Sequence, residues 1–169
     1  MIHDDNPFLD SPEQRDPLRR LRGRLSSPVT IVTSGGPGNR TGLTVSSLMV
    51  IEGDPGLVKL VIGPGSDLWE SVESFGSFVV HVCREADRHL AEVFAGLRPS
   101  PGGPFAGADV TDTDSGPLID ELGDRAICRW VDSIEVGYSG LVTGEIISVD
   151  TDDLVDPLVY FRGRYRALR

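Results

Sequence analysis

The sequence predicts a mainly β protein, an antiparallel barrel with helices packed on its outside. Two observations carry that expectation. Roughly seven apolar or β-branched runs are punctuated by short Gly, Pro and Asn turns, while only two or three segments show helical spacing. The strands also fail to alternate regularly with helices, as a doubly wound parallel sheet would require. At 169 residues the chain suits one domain with a sizeable core, expected over 15–169 behind an N-terminal tail at 1–14.

Taken in order, the first helix is expected from Pro17 to Leu25, where Leu18, Leu21 and Leu25 recur at helical spacing among arginines. Pro28–Ser34 reads as a strand closed by the turn Gly35-Gly36-Pro37-Gly38-Asn39. Thr41–Glu52 and Leu57–Gly63 read as two further strands across Asp54-Pro55-Gly56. A two-turn helix follows from Asp67 to about Phe75, with Ser66 as its N-cap. Phe78-Val79-Val80-His81-Val82-Cys83 is almost continuously apolar, which suits a buried central strand. The next helix is expected over Ala86–Leu97, with Leu90, Val93, Phe94 and Leu97 on one face. Arg98–Gly107 holds three prolines and three glycines and reads as a long loop or lid. Two long strands, Ala126–Val136 and Leu141–Val149, flank Gly137-Tyr138-Ser139-Gly140, and a last strand spans Pro157–Tyr165.

Bulk charge narrows the partners. A net charge of −10 and a pI near 4.6 exclude nucleic acid and anionic membrane as natural binding surfaces. The acidic start and the lack of a long apolar run point to the cytoplasm. Cys83 and Cys128 read as buried reduced thiols. No histidine, cysteine or carboxylate spacing suits a metal site; His3 and His89 take no role. The aspartates near 109–114 and 150–153 lack the glycine and glutamate of a calcium loop.

Chemistry concentrates in two segments. Thr44-Val45-Ser46-Ser47 offers hydroxyls and amides at a strand end. Gly63-Pro64-Gly65-Ser66-Asp67 breaks a strand and opens a helix, whose N-terminus favours an anion. Together they read as two walls of a phosphate pocket that needs no net positive charge, and a phosphorylated cofactor would then supply the reactive chemistry. No Gly-x-Gly-x-x-Gly sits between a strand and a helix, so no dinucleotide fold of that type is expected.

From about Ser27 to Leu168 the chain resembles the flavin reductase-like, FMN-binding split-barrel proteins. The resemblance rests on Gly42-Leu43-Thr44-Val45-Ser46-Ser47, Asp54-Pro55 before an apolar strand, and Ser66-Asp67-Leu68-Trp69. It continues through Phe78–Val82, Phe94-Ala95-Gly96, Gly144-Glu145-Ile146 and Pro157–Tyr165. It implies a Greek-key split barrel, homodimeric, holding FMN or FAD and reducing it with NADH or NADPH, with a flavin-dependent monooxygenase as partner. By position it implies that Thr44, Val45, Ser46 and Ser47 line the phosphate and ribityl side. Ile62, Gly63, Pro64, Gly65, Ser66 and Asp67 border the ring and close the phosphate pocket. His81 and Cys83 sit near the flavin, and Phe105 covers it. Gly103-Pro104, Tyr138-Ser139 and His81 depart from the family pattern, replacing Asp-Arg, Asp-His and asparagine. A non-catalytic FMN-binding flavoprotein is the alternative expectation, and a deazaflavin or haem barrel ranks third.

Overall fold

The computed structural model describes residues 16–168. The tail expected at 1–14, and with it His3, lies outside them, as does Arg169. Helix α1 (Pro17–Arg24) starts at Asp16, whose carboxylate accepts from the Leu18 amide, with Pro17 at the first helical position. Strands β1 (Ser27–Pro28), β2 (Thr30–Ser34), β3 (Thr41–Val45), β4 (Leu48–Ile51) and β5 (Leu57–Ile62) precede α2 (Asp67–Phe75). Then come β6 (Ser77–Val82), a 3-10 turn (Glu85–Asp87) and α3 (Arg88–Phe94). Strands β7 (Val110–Thr113), β8 (Gly116–Ile119), β9 (Arg125–Val136), β10 (Ser139–Asp150), β11 (Leu158–Phe161) and β12 (Arg164–Ala167) complete the chain.

Seven strands form one antiparallel sheet in the order β3-β2-β6-β9-β10-β5-β4. The sheet curls so that its two ends approach, β3 lying beside β5, and α2 packs on β2 and β3. The result is a half-closed antiparallel barrel, as the sequence predicts. Two apolar clusters flank the sheet. Inside the barrel, Val32, Val45, Val58, Leu60, Ile62, Phe78, Val80, Cys128 and Val142 meet Leu68 and Val72 of α2. Outside, Val29, Ile31 and Cys83 pack under α3, β8 and the β11–β12 hairpin through Leu90, Phe94, Ile119, Leu158 and Tyr165. β6 is fully buried over Phe78–His81 because it separates the two clusters, which explains its unbroken apolar run.

Close packing demands glycine at two points of β10. A Cβ on Gly140 would lie 2.1 Å from the Trp69 ring, and one on Gly144 would lie 2.4 Å from the Phe78 ring. The two aromatics therefore rest directly on the β10 backbone.

Several boundaries differ from the sequence expectation. The strand expected over Pro28–Ser34 divides at Val29, since β1 pairs with β11 whereas β2 pairs with β3 and β6. The strand expected over Thr41–Glu52 breaks at Ser46-Ser47, because β3 pairs with β2 whereas β4 pairs with β5. The helix expected over Ala86–Leu97 opens as a 3-10 turn, held by the Asp87 carboxylate accepting from the Arg84 amide and guanidinium. β7, which pairs only with β8, carries Thr and Asp and shows no apolar period. The last strand is a hairpin, turned by Arg162 and Gly163 at φ 51° and 76°.

Candidate functional site

Ser46 and Ser47 sit where the chain crosses from one barrel edge to the other. The Val61 amide donates to the Ser47 carbonyl at 2.9 Å, and the Ser47 hydroxyl donates to the Val61 carbonyl at 2.6 Å. This double tie fixes the crossing against β5, two residues before Gly63. Beyond β5, the Gly63 carbonyl accepts from both the Ser66 amide (3.1 Å) and the Ser66 hydroxyl (2.7 Å), closing a tight turn. The Ser66 oxygen in turn accepts from the Trp69 amide at 3.3 Å and caps α2. The two walls expected from the sequence are thus neighbours, joined through Val61 and Gly63.

The donors available there follow from helix geometry. The first-turn amides of Asp67 and Leu68 have no intrahelical acceptor, and no described residue outside the helix accepts from them. The Ser46 hydroxyl is uncommitted among the described residues. Gly63 and Gly65 face open space, with no atom within 4 Å of where a Cβ would stand. A doubly charged phosphate fits this donor set: two amides, the Ser46 hydroxyl and the positive end of a nine-residue helix.

A cavity of about 380 Å³ lies between α3 and the loop after it. Its lining includes Leu43, Phe94, Gly96, Arg98 and Pro104. Leu43 precedes Ser46 by three residues on β3, about 10 Å of strand, a span that a ribityl chain carrying a ring can bridge. Arg98 at its mouth is held by Glu92, which also receives Arg88. The two guanidiniums keep the Glu92 carboxyl below the usual range, Arg98 contributing most.

The other sequence-predicted residues divide clearly. Thr44 turns away from the donor set and gives its hydroxyl to the Ala91 carbonyl at 2.7 Å. Val45 and Ile62 are in the barrel core, 3% and 5% exposed; they back the site through their main chain. Pro64, between the two open glycines, forms the lip of the turn. Phe105 packs edge-on against Phe94, ring centroids 4.9 Å apart, over Gly42, and so closes the loop beside the cavity.

His81 and Cys83 have no exposed surface and belong to the side of the sheet under α3 and β8. His81 Nε2 accepts from the Ile119 amide at 3.1 Å, which leaves Nδ1 to donate to the Ile31 carbonyl at 3.0 Å. Burial pushes the imidazole down to about 4 and the Cys83 thiol up to about 12. Contrary to the expectation of a place beside the flavin, both are packing residues that offer a ligand no surface. Gly96 and Arg98, which the sequence places only in a helix-closing motif and at the start of the expected lid, line the cavity; a loop's contribution to a cavity leaves no periodic signal.

Comparison with known proteins bears on the same site. The chain is 27% identical over 160 residues to an FMN reductase (NADH) RutF of Stutzerimonas stutzeri, covering 95% of this chain and 92% of that protein. It is 27% identical over 155 residues to the reductase component of a 4-nitrophenol 4-monooxygenase/4-nitrocatechol 2-monooxygenase of Rhodococcus opacus, covering 91% and 81% of the two chains. The NADH:FAD oxidoreductase SgcE6 of Streptomyces globisporus, solved in complex with NAD and FAD fragments, superposes with a TM-score of 0.82 at 26% identity. That match covers 95% of this chain and 96% of the other. The model of the flavin reductase like domain matches residues 22–169, and the chain belongs to that family.

Proposed function

We propose that this protein is an NADH-dependent flavin reductase that binds FMN and passes the reduced flavin to a monooxygenase. One observation carries the reading: the Ser46-Ser47 crossing is tied to Val61, two residues before the Gly63–Asp67 turn that opens α2, and the Asp67 and Leu68 amides and the Ser46 hydroxyl are unclaimed among the described residues. The relatives named above as FMN reductase (NADH) and as a monooxygenase reductase component support it.

Each part of the site has a task. The amides of Asp67 and Leu68, with the hydroxyl of Ser46, hold the phosphate, and Ser66 holds the turn that presents them. Leu43 and the α3 loop flank the ring, and Phe105 with Pro104 shields it from water. Bound flavin supplies the electron-accepting chemistry, so no protein nucleophile or metal is needed. The protein works as a homodimer in the cytoplasm. An exposed apolar patch on β4, β5 and β9, including Met49, Val61 and Ile134, supports pairing. Among the described residues no helix is long and apolar enough to cross a membrane.

Two measurements test the reading: FMN titration followed by flavin fluorescence, and NADH oxidation with added FMN. Saturable binding and FMN-dependent oxidation of NADH, faster than of NADPH, are expected. A protein that binds FMN yet is not bleached anaerobically by either nucleotide would instead be a carrier, and one that binds no flavin would end the proposal.

A further inference from the structure

We propose that a second cavity, between α3 and the prolines of the loop after it, is a binding site for a small phenol, and that a phenol lodged there braces the loop. The inference rests on the lining of that cavity and not on the flavin reading, so the two stand or fall separately.

The cavity has a volume of about 240 Å³. His89 and Val93 stand one turn apart on the same face of α3, and Pro99, Pro101 and Pro104 of the loop line it with them. About 150 Å³ is enough for benzene, so this space takes a single ring with a substituent and nothing as large as a nucleotide. Val93, Ser100 and Pro104 also line the cavity at Leu43, which makes the Ser100–Pro104 stretch a wall common to both.

The chemistry of the lining selects the substituent. The three prolines have no N–H to donate, and no lysine or arginine lines the space, so nothing there favours an anion. The Ser100 hydroxyl donates to the Gly103 carbonyl at 2.6 Å, which leaves its oxygen able only to accept. His89 has no partner among the described residues, and its neutral ring has one acceptor nitrogen. A ring that brings its own O–H donor answers both. The wall itself is a tight turn, closed by the Gly103 amide donating to the Ser100 carbonyl at 2.9 Å, with Gly102 and Gly103 at φ 90° and 94°. Two adjacent glycines give that turn no side chains to hold it, so a ring packed on Ser100 and Pro104 supplies the contact it lacks.

Titrations with phenol, toluene and benzoate, followed by amide NMR on the wild type, His89→Ala and Ala106→Leu, test this. Phenol is expected to saturate with a Kd on the order of 1 mM, as suits so small a ligand, and to move the amides of α3 and of residues 99–107. Toluene keeps the shape of phenol without the donor, and benzoate only accepts; both should bind about fivefold more weakly or worse, the contribution of one hydrogen bond. His89→Ala should weaken phenol by a similar factor, and Ala106→Leu, which fills the cavity, should abolish saturation. Both positions are exposed, so both variants should melt with the wild type. With phenol at ten times its Kd, exchange of the Gly102 and Gly103 amides should slow about tenfold. No saturation by phenol, toluene or benzoate that binds as well, phenol that binds both variants as tightly as the wild type, or exchange that phenol leaves unchanged overturns the inference. The titrations contain no flavin, so a chain that binds FMN but not phenol keeps the flavin reading and loses this one, and the converse result does the opposite.

Discussion

At the scale of single residues, His81 shows how a polar group is used inside an apolar sheet. Its ring has no exposure, and its two nitrogens join β6 to the carbonyl of Ile31 on β2 and to the amide of Ile119 on β8. That arrangement requires the neutral ring, since Nε2 must accept. Burial is the main cause of the depressed pKa of about 4, with Arg125 opposite on β9 adding to it and the Ile31 bond opposing it. The folded value lies below the unfolded 6.5, so above pH 6.5 both states are neutral and the full stability is present. As pH falls from 6.5 to 4 only the unfolded chain takes up the proton, and about 3 kcal/mol is lost. Urea midpoints of the wild type should drop more steeply through that window than those of His81→Gln, whose amide can keep both bonds without titrating. Parallel curves would show that His81 does not titrate this way. The asparagine-to-histidine departure visible in the sequence is thus a structural substitution, made on the buried side of the sheet.

Among the elements, α2 joins stability to binding, and Ser66 separates the two. Its side chain caps the helix at Trp69 and anchors the turn at Gly63. Ser66→Ala should cost about 1 kcal/mol of stability and also weaken FMN. Ser66→Asp keeps the cap at Trp69, because aspartate accepts as well as serine does, and gives up only the donation to Gly63, but it puts a carboxylate where the phosphate would sit. Thermal melting near the wild type with a Kd for FMN raised on the order of tenfold is expected, as a like charge a few ångströms away costs ~1.4 kcal/mol in partly screened solvent. Melting and binding that fall together would show that Ser66 acts only as a cap. This element was legible in the sequence because Ser66, the Gly63-Pro64-Gly65 breaker and the Leu68–Val72 spacing are all local signals. The break at Ser46-Ser47 was not, since both halves of the run favour extended backbone and only their different partners divide them. The same holds for Arg162-Gly163, where a non-glycine at positive φ hides a hairpin inside an apolar stretch. The side of the sheet on which His81 lies depends on tertiary pairing, which a single strand's composition does not encode.

For the whole molecule, the unsolved part of the surface is the outer face of β9, β10, β5 and β4. Ile134, Leu141 and Val61 stand in one row by register, and Lys59 and Met49 stand in the next. Ile134 is 48% exposed, Val61 40% and Met49 61%, a concentration of apolar area beyond scattered surface residues. Lys59, the chain's one lysine, donates to Thr143 at 2.8 Å within it. Val61 points outward between the core residues Leu60 and Ile62, so Val61→Asp can disrupt a partner without opening the barrel. Sedimentation should give a dimer for the wild type and a monomer for this variant, with melting that depends on protein concentration only in the wild type. Salt separates apolar contact from ion pairing. Two copies of net charge −10 each repel, so screening should tighten an apolar dimer, whereas an interface of ion pairs would loosen. Association that weakens from low to high salt, or a Val61→Asp chain that still sediments as a dimer, would place the contact elsewhere on the molecule.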